Sequence, residues 1–171
     1  MFKGKKIYLR PPEKSDVTQL LIWENNPETW HLSDTEAPYS IQEMLNYVKQ
    51  ASAVRANQQV RFMICSLGEK KTLGTIDLFS ISFKDKRAGI GILIAERDNR
   101  EKGYAKEAIS LCMEYGLEVL EIDNYFCSVH ADNFASIKLF ESLSFECIGV
   151  RKKWFKKGNT FVDEILFQKL I

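Results

Sequence analysis

Residues 88–95 read Ala-Gly-Ile-Gly-Ile-Leu-Ile-Ala, a run without a single polar side chain. A strand this apolar has no face to give to water, so it belongs inside a sheet that is covered on both sides. Residues 96–103, Glu-Arg-Asp-Asn-Arg-Glu-Lys-Gly, follow it as a polar loop. Beyond the loop, Ala105, Ala108, Ile109, Cys112, Met113, Leu117 and Leu120 recur at helical spacing. Central strand, glycine-ended loop and long amphipathic helix make one unit, around which any fold of this chain has to be built.

The flanking segments alternate between strand and helix patterns. Residues 7–10 read as a strand stopped by Pro11-Pro12, after which Ser15 or Asp16 can cap a helix carrying Val17, Leu20, Leu21 and Trp23. Ser40 and Glu43 form a capping box ahead of Met44, Leu45 and Val48. Residues 61–65 and 72–79 pair as a hairpin, and 125–129 form a further strand. Asp132-Asn133 opens a shorter helix with Ile137, Phe140 and Leu143 inward, and 147–150 with 161–170 make a terminal hairpin. The basic run Arg151 to Lys157 is expected near the turn of that hairpin. In a chain of 171 residues without repeats or linkers, this order predicts one domain, 1–171, of the α+β class.

Charge and rare residues exclude several functions. Lys plus Arg number 24 against 23 Asp plus Glu, so no global field attracts nucleic acid or an anionic membrane. The basic run, although Trp154 and Phe155 are interleaved in it, reads as an edge strand protected by lysines rather than an RNA-binding patch. Met1 to Ile7 carry no apolar signal segment, and a cytoplasmic location is expected. Cys65, Cys112, Cys127 and Cys147 are too scattered for a metal knuckle and are expected as free thiols. With only His31 and His130, neither a zinc site nor a His-led triad has material.

The loop after the central strand is the best candidate for chemistry. In Arg100-x-x-Gly103-x-Ala105, a glycine lets the backbone approach a ligand and a small residue starts the helix tightly. The unpaired amides and positive end of that helix suit an anion such as a pyrophosphate, with Arg100 and Lys102 adding charge. It is neither a Walker loop nor a Rossmann turn, because Gly89-Ile90-Gly91 lacks the third glycine and lies inside a strand.

With Asn133-x-x-Ser136-x-x-Leu139-Phe140-Glu141 and Phe145 further on, the chain resembles GNAT N-acetyltransferases, whose motifs are R/Q-x-x-G-x-G/A and N-x-x-S-x-x-L-Y-E-x-x-G-F. Leu9-Arg10, Trp23-Glu24-Asn25-Asn26 and Asp163-Glu164 are similar to the branch holding ribosomal-protein N-terminal acetyltransferases and spermidine N-acetyltransferases. The resemblance implies a mixed sheet of about seven strands with about four helices, acetyl-CoA as cosubstrate, and an assembly that is often a homodimer. It implies that the strands at 90–95 and 125–129 run parallel and splay, with Leu93, Ile94 and Ala95 along the pantetheine arm. Arg100, Glu101, Lys102, Gly103, Tyr104 and Ala105 would hold the pyrophosphate, and Asn133, Ser136 and Phe140 would complete the cosubstrate site. Asn133 has a second reading as a helix N-cap.

Acetyl transfer asks the enzyme to present a neutral amine, polarise a thioester carbonyl and protonate the departing thiolate. Two departures bear on this. The family's tyrosine, its general acid, is Phe140, and the glutamate that often precedes the central Ile-Gly step is Gly89. Solvent can supply the proton, or Ser136, Tyr104 or Tyr125 can take over, or the chain is an acyl-CoA-binding sensor with a degenerate site. The resemblance implies an acceptor site built by the first two helices, their connecting loop and the terminal hairpin, here residues 23–39, which hold Trp23, Asn26, Trp30, Asp34 and Glu36, together with Glu24, Glu28, His31 and Tyr39. Such acidic and aromatic groups can hold a polyamine or a peptide amine.

Overall fold

The structure is a computed structural model, and it describes residues 2–27, 30, 36–69 and 71–171. Its strands are β1 (Phe2–Lys3), β2 (Ile7–Arg10), β3 (Val60–Ser66), β4 (Thr72–Ser82), β5 (Arg87–Ile94), β6 (Asn124–His130), β7 (Glu146–Lys157) and β8 (Thr160–Leu170). Its helices are α1 (Val17–Glu24), α2 (Ile41–Gln50), α3 (Val54–Asn57), α4 (Tyr104–Leu120) and α5 (Phe134–Glu141). The strands form one sheet in the order β1-β2-β3-β4-β5-β6-β8-β7. Every neighbouring pair is antiparallel except β5 with β6. The expected α+β class and mixed sheet are therefore found. Among the described residues the expected seven strands become eight, because the two-residue β1 pairs with β2, and the four helices become five, because α3 adds one turn.

The apolar run at 88–95 is the interior strand β5, and alternation sorts its neighbours onto two cores. Phe62 and Ile64 of β3, Ile76 and Leu78 of β4, and Ala88 and Ile90 of β5 pack with Ala108, Ile109, Cys112 and Met113 of α4. Met63 and Cys65 face the opposite way and pack with Val17 and Leu20 of α1 and Met44 of α2. The Ser40 and Glu43 capping box forms as expected, Glu43 N–H donating to Ser40 Oγ (3.2 Å) and Ser40 N–H to Glu43 Oε2 (2.7 Å). Cys65, Cys112, Cys127 and Cys147 are all free thiols, the first three buried. Among the described residues, no helix is long and apolar enough to cross a membrane.

The terminal hairpin departs from expectation in the length of its first arm. Expected over 147–150, it runs on through the basic residues as β7, the outermost strand, to Lys157 beside the turn Gly158-Asn159. An edge strand with both faces exposed carries no periodic apolar signal, which is why a charged run can be strand. Between Arg151 and Phe155 the pairing to β8 jumps, with Lys153 left-handed at φ 51°. Asp163 holds the bulge, accepting from Lys153 N (2.8 Å) and Lys152 Nζ (2.9 Å). Phe155 stacks on His130 at 3.7 Å between centroids.

At the other end of the sheet, Asp16 ties β2 to the start of α1. Arg10 donates to it twice, Nη1 to Oδ2 (2.6 Å) and Nη2 to Oδ1 (2.8 Å), and Glu13 N–H donates to Oδ2 (2.7 Å). Burial pushes the Asp16 carboxyl up, but the Arg10 guanidinium and the Glu13 amide overcome it and hold the group below its ordinary 3.8. A depressed carboxyl contributes stability above its unfolded value that is lost as pH falls through the folded one. We expect Asp16→Asn to lower the unfolding free energy at pH 7 by about 2 kcal/mol. Urea titrations should also show the wild type losing that margin below pH 3.8 while the variant's stability stays flatter.

Candidate functional site

The functional geometry begins where β5 and β6 part. Their parallel ladder consists of Arg87 with Asn124, Ala88 with Tyr125 and Gly89 with Phe126, and no pair follows. Yet β5 stays paired to β4 as far as Ile94, and β6 to β8 as far as His130. The facing edges of residues 90–94 and 127–130 are thus left without ladder partners, as the resemblance implied. Phe79 of β4 marks the point of parting. It pairs with Gly89 and meets Phe126 edge-on at 6.0 Å, and its ring occupies the space a Cβ on residue 89 would need. The missing glutamate at 89 and the aromatic at 79 are one packing solution, in which the ring covers the strand where a glycine leaves it bare.

Beyond the parting lies a cavity of about 540 Å³. Leu93, Ile94, Arg100, Glu101, Gly103, Tyr104, Ala105, Asn133 and Ser136 all line it, so two motifs about thirty residues apart in sequence meet in one place. Asn133 does both things proposed for it, since it faces the cavity and its Oδ1 accepts from Ser136 N (3.2 Å) as the N-cap of α5. Gly103 is left-handed at φ 83°, a conformation that favours glycine, and Glu101 at φ 60° is left-handed as well. Among the described residues, no backbone acceptor takes the amides of 101–106, which therefore form a nest for an anion at the start of α4. Arg100 bends back to donate from Nε to Ile94 O (3.3 Å). A long, partly apolar arm ending in a pyrophosphate fits this combination of walls, bare strand edges and nest.

Three expected residues stand outside the lining. Ala95 donates its N–H to Leu73 O (3.0 Å), Lys102 turns its carbonyl away from the cavity to Lys6 Nζ (2.8 Å), and Phe140 is buried against Phe145 and Phe167. Ile92, Asn99, Lys106, Ala135 and Leu139 line the cavity and were not read from the sequence. Lys106 lies three residues after Gly103 and Leu139 three residues after Ser136, so helical spacing would have found both. Tyr125 is no candidate acid. It is fully buried, its single O–H lies within hydrogen-bond distance of both Met113 O (2.9 Å) and Ile122 O (3.0 Å), and burial raises its phenol above the ordinary value. Ser136 and Tyr104 keep hydroxyl groups on the cavity wall.

On the opposite face, Arg61 of β3, Asp77 of β4 and Gly91 of β5 stand in one cross-strand row. Arg61 joins two elements, Nε donating to Asp77 Oδ1 (2.7 Å) and Nη1 to Glu24 Oε1 at the end of α1 (2.5 Å), with its guanidinium 5.1 Å from the Tyr47 ring centroid. Beside it, Tyr47, Gln50, Ala51, Asn57, Gln59 and Arg61 line a second cavity of about 280 Å³. This cluster is absent from the sequence reading, although a lone Asp and a lone Arg in two apolar strand runs were a signal for it. Of the expected acceptor residues, Trp23 is half-buried against the α1–α2 core and Asn26 is half-buried after α1. Trp30 donates from Nε1 to Glu24 O (2.8 Å), and Glu36 is exposed. Asp34, like Glu28 and His31, lies outside the described residues. Asn25 clasps the end of the loop, exchanging hydrogen bonds with Tyr39 N (2.8 Å) and O (2.9 Å).

The Phe79–Gly89 packing is testable. Gly89→Glu is expected to cost about 2 kcal/mol by overpacking against the ring. In urea denaturation, Gly89→Glu combined with Phe79→Ala should be more stable than the sum of the single changes by about 1 kcal/mol or more.

Comparison with known proteins agrees with this geometry. A family model described as an acetyltransferase (GNAT) domain matches residues 6–146. The chain is 29% identical over 166 residues to an N-acetyltransferase 9-like protein of Dictyostelium discoideum, covering 85% of this chain and 77% of the relative. It is 27% identical over 152 residues to a spermidine N(1)-acetyltransferase of Escherichia coli, covering 87% and 77%. The spermidine N-acetyltransferase of Vibrio cholerae, solved in complex with CoA and spermine, superposes with a TM-score of 0.82 at 23% identity, over 96% of this chain and 95% of that one. With most of its length matched to the family, the chain belongs to the GNAT acetyltransferases and is an acetyl-CoA-dependent N-acetyltransferase.

Proposed function

We propose that the chain transfers acetyl from acetyl-CoA directly to the primary amine of a peptide, in a ternary complex. The observation that carries this is the row Arg61, Asp77, Gly91, which links the neutral-amide cavity on one face of the sheet to the strand that borders the cosubstrate cleft. Strands are about 4.8 Å apart, so Arg61 lies roughly 10 Å from β5, about three residues of extended chain. A polyamine's second ammonium calls for free carboxylates. Glu24 and Asp77 are instead committed to Arg61, and the cavity itself is lined by amides, a phenol and a guanidinium, which suit peptide groups.

Acetyl-CoA supplies an acetyl group activated as a thioester. Arg100, Gly103 and the neighbouring loop amides hold its pyrophosphate, while Leu93, Ile94 and Asn133 flank the arm. Direct attack is supported by the thiols. Burial pushes Cys127, the first β6 residue past the ladder, up to about 12, so that thiol offers no thiolate to take the acetyl group. The C–N bond forms as the C–S bond breaks, the ammonium proton passes to solvent, and the leaving thiolate is protonated by water or through Ser136 or Tyr104.

A second reading, an acyl-CoA sensor, is favoured by one observation: at 140 and 89 the family's hydroxyl and carboxylate are replaced by a core phenylalanine and a packed glycine. Thiol release against peptide amides of one to five residues and against spermidine separates the readings. Peptide acetylation with kcat/KM rising up to about four residues is expected. Preference for spermidine would overturn the peptide reading, and CoA binding without release on any amine would favour the sensor. Phe140→Tyr should leave kcat within about twofold, because positioning rather than a tyrosine acid carries the reaction.

A further inference from the structure

The turn joining β1 and β2 grips the cosubstrate loop. Lys6 Nζ donates to Lys102 O (2.8 Å), and Lys5 N–H and Lys6 N–H both donate to Oε1 of Glu107 in the first turn of α4. Glu107, the only acidic group in that first turn, is thereby turned toward the β1–β2 turn; a side chain on Gly4 would collide with it. Lys102 sits between the left-handed residues Glu101 (φ 60°) and Gly103 (φ 83°), where the peptide planes have no helix or ladder to orient them.

A trans peptide points its C=O and the following N–H in opposite directions. Holding the Lys102 carbonyl on the Lys6 side therefore aims the Gly103 N–H the other way, into the cavity that Glu101, Gly103 and Tyr104 line and Lys102 does not. We propose that Lys6 is a positioning residue for acetyl-CoA: its ammonium, on a different strand, fixes the Lys102–Gly103 peptide plane and so pre-orients the amide nest that binds the pyrophosphate. Neither motif of the cosubstrate site contains this residue. Without the clamp, the Lys102–Gly103 plane, next to a left-handed glycine, can flip, and the nest has to be ordered at the expense of binding.

The test is titration calorimetry with CoA on the wild type, Lys6→Met and Lys6→Arg, with melting temperatures alongside. Lys6→Met should raise the Kd for CoA roughly three- to tenfold, the range for losing one hydrogen bond. Lys6→Arg, which keeps a donor at the carbonyl, should recover most of it. Pantetheine, which carries no phosphate, should bind wild type and Lys6→Met with the same Kd. The Met-to-wild-type ratio for CoA should also persist between 0.05 and 0.5 M salt, because the effect passes through the peptide plane and not through bulk charge. An unchanged Kd, an equal loss for pantetheine, failure of Lys6→Arg to recover, or a ratio that collapses in high salt would each overturn the proposal. All these readouts precede acetyl transfer, so they stand whichever acceptor the enzyme uses.

Discussion

The parting of β5 from β6 is the constraint on which the rest of the molecule turns. A strand needs one ladder to keep its shape, and β5 keeps the one to β4 along nearly its whole length. That leaves its other edge free to open after Gly89 without β5 itself unravelling. Likewise β6 is carried by β8, whose ladder runs its full length. The two unpaired edges can exist inside a protein because each strand, beside the gap, is paired on its far side.

The opening also explains why the site is assembled from distant pieces. The loop after β5 delivers its amides at one end, α5 delivers Asn133 and Ser136 from across the gap, and the β1–β2 turn braces the loop from the side. None of these segments is rigid on its own. Each is held by an element that belongs to the other: Lys106 of α4 donates to Ser142 O beyond α5, and Glu107 takes the amides of the N-terminal turn. The acidic first turn of α4 is thus reconciled with an anion site by pointing the carboxylate outward.

What could be read from the sequence follows from the range of the signals. Residues 88–95, the helix that follows and the Ser40–Glu43 cap are local patterns, and all three are found within a residue or two of expectation. The loop motif and the Asn133 motif were legible as short strings, and their meeting in one cavity followed from the family resemblance, not from spacing. The Arg61–Asp77–Glu24 cluster was hidden because its members come from three elements and each looks like an isolated charge until the register is known. Lys6 escaped for the same reason, being about a hundred residues from the carbonyl it holds. The edge-strand character of 151–157 was legible from its lysines, but the length of the arm was not, because at an edge neither face needs apolar residues to mark where the strand runs on.

That edge has a bearing on how the molecule behaves at high concentration. β7 is the outer boundary of an eight-stranded sheet, twelve residues long and bordered by the exposed Ile148, Val150 and Trp154. A straight strand of this kind would template the addition of another. The bulge at 151–155 interrupts it midway, with Lys152 and Lys153 anchored to Asp163. An incoming strand would have to match a kinked, cationic edge, so lateral growth of the sheet into fibres stops here.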